Sequence, residues 1–256
     1  MSLPAPLPGL RGEQTVCATA EACAARLATA LGEHLRQRLA GLRRVHVALS
    51  GGSSGELLCA RLAQTEDIRP EEWPRIHLWM VDERRVADGD PRQNLRWLRD
   101  GLLPQVPLPA GNLHPMPVMH EQGAQLYEHE LRAALAERPD ANERSLDAVV
   151  LGMGADGHTA SLFPGEPLID DRDDSAAAVY LQPAGQWRVT LLPGVLLAAR
   201  HLVVLACGAE KADALARTWD GSADVIGCPA QILTREGRAA AWFLDLAAAT
   251  KLKPLC

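Results

Sequence analysis

Five short apolar runs, at residues 45–49, 76–81, 146–151, 201–206 and 239–244, are separated by stretches long enough for helices, and most end directly in glycines or charged turn residues. Apolar runs of this length with no polar alternation fit strands buried on both faces, which occur in parallel sheets covered by helices. The helical partners are visible too. Thr19 can cap a helix running to about Leu42, with Leu27, Leu31, Leu35 and Leu39 on one face. Further helices are expected at 56–62, 94–103, 121–137 and from the turn at 207–211 to about Trp219. The expected fold class is therefore α/β, a mostly parallel sheet with helices on both faces. Residues 1–14, rich in proline and glycine, read as an N-terminal arm, and 15–256 as a single α/β domain.

Composition narrows the partners. A net charge of −6 argues against a nucleic-acid-binding surface, and 4% aromatic residues argue against a base-stacking platform. No apolar run is long enough to span a bilayer and no signal-peptide pattern opens the chain, so no membrane partner and a cytoplasmic location are expected. Six cysteines are scattered without a CxxC pair, which suggests reduced packing residues, with Cys256 exposed.

Chemistry is concentrated where these runs end. The run at 146–151 leads into Gly152, Gly154 and Gly157, then Asp156, His158, Thr159 and Ser161. Glycines let the backbone approach a ligand at the carboxyl end of a strand, where open α/β sheets keep their sites. Ser50, Gly51, Gly52 and Ser53 sit between a strand and a helix start, which makes an anion cradle of backbone N–H groups. The cradle lacks the lysine of a P-loop and the spacing of a dinucleotide fingerprint. Asp82, Glu83, Arg84 and Arg85 open a polar loop at 82–93, where Arg84 or Arg85 offers a planar fork to an anion. Asn94 reads equally as a cap or a ligand, and Arg188 and Lys211 complete the candidate cations. The stretch 170–174 reads as a solvated acidic loop.

In this order the motifs resemble the 6-phosphogluconolactonase family over nearly the whole chain. The resemblance rests on the serine-glycine loop at 50–53, the Asp82-Glu83-Arg84 loop, Asn94, the long signature from Gly152 to Gly165, Arg188 with Thr190, and Gly208 with Lys211. It implies a Rossmann-like fold of the sugar-phosphate isomerase/deaminase type and hydrolysis of 6-phospho-D-glucono-1,5-lactone, a phosphorylated sugar lactone, without metal or cofactor. A monomer or weak homo-oligomer is expected. His158 is then the general base, with Asp156 or Asp82 orienting it. Arg84 serves the developing oxyanion or the phosphate, and Ser50, Gly51, Gly52, Ser53, Asn94, Arg188 and Lys211 hold the substrate. The family usually writes Thr-Pro where this chain has Ser54 and Gly55, which makes the loop less pre-organised. Two other readings share the architecture. An amino-sugar-phosphate deaminase carries a glutamate five residues beyond the histidine, where this chain has Phe163, and a sugar-phosphate-sensing regulator needs a DNA-binding module.

Overall fold

The computed structural model describes residues 12–253, so residues 1–11 of the expected arm and Cys256 lie outside it. Seven strands form one parallel sheet: β1 (Gln14–Cys17), β2 (Val45–Leu49), β3 (Ile76–Met80), β5 (Leu113–His114), β6 (Ala148–Leu151), β9 (Leu202–Ala206) and β10 (Ala241–Asp245), in the order β1-β10-β9-β6-β2-β3-β5. Every residue of β2, β6 and β9 is buried, which is why these strands read as unbroken apolar runs.

Helix α1 (Ala20–Gly41) starts where Thr19 caps it, its hydroxyl accepting from the Ala22 N–H, and it buries Leu27, Leu31, Leu35 and Leu39. It packs on α2 (Gly52–Leu62), the crossover from β2 to β3. Helix α6 (Ala212–Asp220) links β9 to β10 in the opposite direction along the sheet. Right-handed crossovers then place α2 and α6 on opposite faces.

Three expectations are corrected. The stretch opening at Asp82 is not all loop: β4 (Asp82–Arg84) continues from β3 and pairs antiparallel with β8 (Gln186–Leu191), which pairs in turn with β7 (Ala176–Leu181). This second sheet escaped notice because β4 is three residues long and fully polar. Helix α2 begins at Gly52 rather than Glu56, because the glycine loop itself winds into the first turn. The helix expected at 94–103 is one α turn, α3 (Leu95–Trp97), followed by a π-helical turn at Leu98–Leu102. Other elements shift at their ends: α4 is Gly123–Ala136, and two short helices, α5 (Pro193–Leu197) and α7 (Ile232–Arg235), are added. The short edge strands β1 and β5 were also not foreseen. No described helix is long and apolar enough to cross a membrane.

The core also buries imidazoles. His46 on β2 accepts a hydrogen bond from Trp79 Nε1 at 3.1 Å, and Trp79 stacks on His114 at 3.8 Å between ring centroids. Burial, and then neighbouring His77, push His46 down to about 3, and burial lowers His77 and His201 to about 4. In the unfolded chain these rings take up a proton near pH 6.5. The unfolded state therefore binds more protons between pH 6.5 and 4, so stability falls as pH drops through that window. Urea midpoints measured from pH 7 to 4.5 should decline, and the decline should be shallower in His46→Gln. An equally steep decline in that variant would show that other groups set the acid limb.

Candidate active site

The strand order explains where the site lies. From β2 the chain crosses toward β3, and from β6 it leaves toward β9, so these neighbouring strands diverge at their carboxyl ends. Divergence opens a crevice there. It is an open cleft lined by Ser50, Gly51, Gly52, Ser53, Ser54, Asp82, Arg84, Asn94, His158, Arg188 and Lys211, among others. Every residue to which the family resemblance gave a role in catalysis or binding lines it except Asp156, which reaches it only through its hydrogen bond to His158.

The signature loop delivers the imidazole. His158 Nδ1 lies 2.7 Å from Asp156 Oδ1, and the same oxygen accepts the His158 backbone N–H at 3.0 Å. Burial alone would raise the Asp156 carboxyl, but these hydrogen bonds outweigh it and bring it down to about 2. An ionised carboxylate only accepts, so the ring donates from Nδ1, and Nε2 of the neutral imidazole keeps its lone pair. Because the Nδ1 edge is turned to Asp156, the free nitrogen is left for the cleft. Gly154 lies directly against this pair, with the His158 and Asp156 side chains where a Cβ would stand. Arg217 from α6 donates to the Asp156 carbonyl at 2.8 Å, and the Ala230 N–H to that of Gly157 at 2.9 Å, which fixes the turn from below.

Of the two aspartates left open by the sequence, Asp156 is the partner of the imidazole. Asp82 is buried and serves another network. It accepts from Ser161 Oγ at 2.7 Å and from Asn94 Nδ2 at 3.2 Å, and lies 3.7 Å from Arg188. Asn94 does not cap a helix with its side chain: Nδ2 also donates to the Asp82 carbonyl, and Oδ1 accepts from Arg84 at 2.9 Å.

The second sheet places the cations. Side chains alternate along a strand, so Asp82 and Arg84 share one face of β4 and Glu83 takes the other. In the register Asp82 faces Thr190 and Arg84 faces Arg188. Two guanidiniums directly opposite on one face repel each other. Arg188 is only 12% exposed, its Nε has no partner among the described residues, and burial, with Arg84 adding to it, lowers its affinity for the proton against the pull of Asp82. Helix α2 adds a third source of positive potential: its cap, Gly51, has no side chain to satisfy the first-turn N–H groups. Lys211, in the turn after β9, also lines the cleft, with its Nζ 3.7 Å from Glu210. Arg85 is exposed and does not line the cleft. Ser54 does line it, and Gly55 lies in the first turn of α2 with the Ser50 carbonyl where a Cβ would stand, so the loop is wound tightly around that glycine.

Residues 18–242 match the family described as glucosamine-6-phosphate isomerases/6-phosphogluconolactonase. The chain belongs to this family. Among its members, a 6-phosphogluconolactonase of Streptomyces coelicolor is 34% identical over 242 residues, 91% of this chain and 90% of that protein. Another from Synechocystis is 36% identical over 211 residues, 81% of this chain and 85% of its own. In fold, the chain resembles the solved 6-phosphogluconolactonase from Trypanosoma cruzi with a TM-score of 0.82 at 23% identity, covering 96% of this chain and 98% of that one.

Sequence reasoning left Glu83 without a role. Its carboxylate is buried and accepts three backbone N–H groups, from Arg84 at 2.7 Å and from Asn94 and Leu95 at 2.8 Å. Burial raises its carboxyl above the usual range, against the pull of those three bonds. It thus ties β4 to the start of α3. The signal was available in the period of two once β4 is known to be a strand. A glutamine side chain has one acceptor oxygen, so Glu83→Gln leaves at least one buried N–H facing an amide N–H. Urea unfolding should show a loss of about 1–3 kcal/mol; an unchanged midpoint would mean that the carboxylate does not hold this junction.

Proposed function

We propose that the protein hydrolyses 6-phospho-D-glucono-1,5-lactone to 6-phosphogluconate, with water activated by His158. The observation that carries the reading is the pair Arg84 and Arg188, opposite each other in register at a cleft that also presents the open N-terminus of α2 and an imidazole with a free nitrogen. Such a cleft suits a substrate that brings its own negative charge and a carbonyl to be attacked. Membership of the family, and relatives of similar length named 6-phosphogluconolactonase, support the same substrate.

In this mechanism His158 Nε2 takes a proton from water as the oxygen attacks the lactone carbonyl, and Asp156 stabilises the imidazolium that forms. The carbonyl oxygen becomes an oxyanion, for which Arg84 supplies charge-assisted hydrogen bonds. Collapse of the tetrahedral intermediate breaks the bond between the carbonyl carbon and the ring oxygen. The proton returns from His158 to that oxygen, leaving an open-chain acid and a neutral imidazole. Arg188, Lys211 and the N–H groups of Ser50 to Ser53 hold the phosphate. The deaminase reading needs a carboxylate five residues beyond His158. Phe163 stands there, with its ring against the imidazole.

Lactone freshly made by oxidation of glucose 6-phosphate should disappear faster with the protein than spontaneously, and no acceleration would sink the proposal. In His158→Ala kcat should fall about 10²–10⁴-fold with the product still binding; an unimpaired rate removes His158 from the mechanism. Arg188→Ala and Lys211→Ala should each weaken binding of 6-phosphogluconate by about 1.5–3 kcal/mol, measured by calorimetry, and parental affinity in both would place the phosphate elsewhere. Arg84→Lys should lower kcat more than it raises KM, because a lost transition-state contact appears in the rate. A change in KM alone would make Arg84 a phosphate clamp.

A further inference from the structure

We infer that Phe163 is a positioning residue that fixes the His158 imidazole and the Arg188 guanidinium relative to each other through the two contacts of its ring. The inference rests on the reading of His158 as the base and Arg188 as an anion receptor. The Phe163 ring stacks on the imidazole with centroids 4.0 Å apart and planes 20° from parallel. The Arg188 guanidinium carbon lies 5.3 Å from the centroid of the same ring. His158 and Arg188 line the cleft, whereas Phe163 does not, so it acts through them.

The geometry assigns the ring a task that no hydrogen bond performs. The bond from Nδ1 to Asp156 holds one edge of the imidazole, but a hydrogen bond tolerates some tilt of the ring plane about it. A stacked aromatic plane opposes that tilt, because tilting separates the two faces. Stacking tolerates both protonation states of the imidazole, since the face of a phenyl ring also attracts a cation. The base can therefore gain and lose its proton without leaving its place.

Arg188 has no comparable support. Its contacts with Ser161 at 3.5 Å and Asp82 at 3.7 Å are long, and its Nε has no partner among the described residues. Phe163 gives it a surface to lie over that consumes none of its donors, which leaves them for an anion. The base comes from the loop after β6 in the parallel sheet and the guanidinium from β8 in the antiparallel one. Phe163 is in contact with both. Its own backbone is anchored: the adjacent Leu162 is fully buried, with its N–H bonded to the Thr159 carbonyl at 3.0 Å, and the Phe163 carbonyl accepts from Glu166 at 3.1 Å.

The test compares Phe163→Leu and Phe163→Met, which remove the ring, with Phe163→Tyr, which keeps it. Lactone hydrolysis should show kcat lowered on the order of 10–100-fold in the Leu and Met variants, with KM raised only about 2–5-fold as Arg188 loses its cation–π contact. The Tyr variant should recover most of kcat. In proton NMR of the parent without substrate, the His158 ring protons should lie upfield through the Phe163 ring current, stay upfield in Tyr, and move downfield in Leu and Met. Two non-aromatic variants guard against one failing to fold. Parental kcat in a folded Leu or Met variant, or His158 resonances that do not move, overturns the inference. A parent with no lactonase activity overturns the functional reading instead, and the NMR comparison then decides the positioning role by itself.

Discussion

The cleft depends on Val81. This fully buried residue donates its N–H to the Leu49 carbonyl of β2 at 3.0 Å and accepts the Leu191 N–H at the end of β8 at 2.8 Å. One peptide on each side thus knits the parallel sheet to the antiparallel one, and β3 passes through the joint into β4. The cradle of Ser50 to Ser53 follows β2 directly, Asp82 and Arg84 follow Val81, and Arg188 and Thr190 pair with them. Backbone hydrogen bonds, which neither pH nor salt alters much, therefore set the spacing of the loop at 50–53 from Arg84 and Arg188.

The two ends of the sheet treat charge differently. At the amino end Asp147 is fully buried, yet its carboxylate receives Arg38 Nε at 2.9 Å, the His46 N–H at 2.7 Å and Arg138. Its donors and acceptors are matched, as a buried ion cluster requires if it is to be neutral in its effect on stability. At the carboxyl end Arg84 and Arg188 face each other with Asp82 as the near carboxylate, and the buried Arg188 Nε has no acceptor among the described residues. The first cluster closes the bottom of the sheet. The second leaves guanidinium donors at the cleft, where the proposed function uses them for an anion.

The central strands were legible because burial on both faces leaves no other pattern for 45–49, 146–151 or 201–206. The long first helix was legible because Thr19 and the leucine spacing act locally. What remained hidden was the second sheet, since Asp82, Glu83 and Arg84 read as a charged turn and acquire strand character only from a partner about a hundred residues away. For the same reason the sequence placed the cleft residues together but could not choose between Asp82 and Asp156. That choice follows from register, which pairs Asp82 with Thr190, and from the tight turn that returns Asp156 to His158. Phe163 was legible as a departure from the carboxylate of the amino-sugar-phosphate deaminases, while its contacts were not. Stacking is a matter of side-chain placement that no spacing rule reports.

Gly51 and Asn94 carry a consequence for the history of the chain. The Asn94 side chain occupies the space a Cβ on residue 51 would need, while the same amide holds Asp82 and Arg84. A larger residue at 51 becomes tolerable once 94 has shrunk, but a shrunken residue at 94 releases both charged groups. Each single step brings either a clash at 51 or the loss of the amide that holds Asp82 and Arg84. The two positions are locked together, and sequences that drift elsewhere around the cleft would have to change this pair jointly or leave it alone.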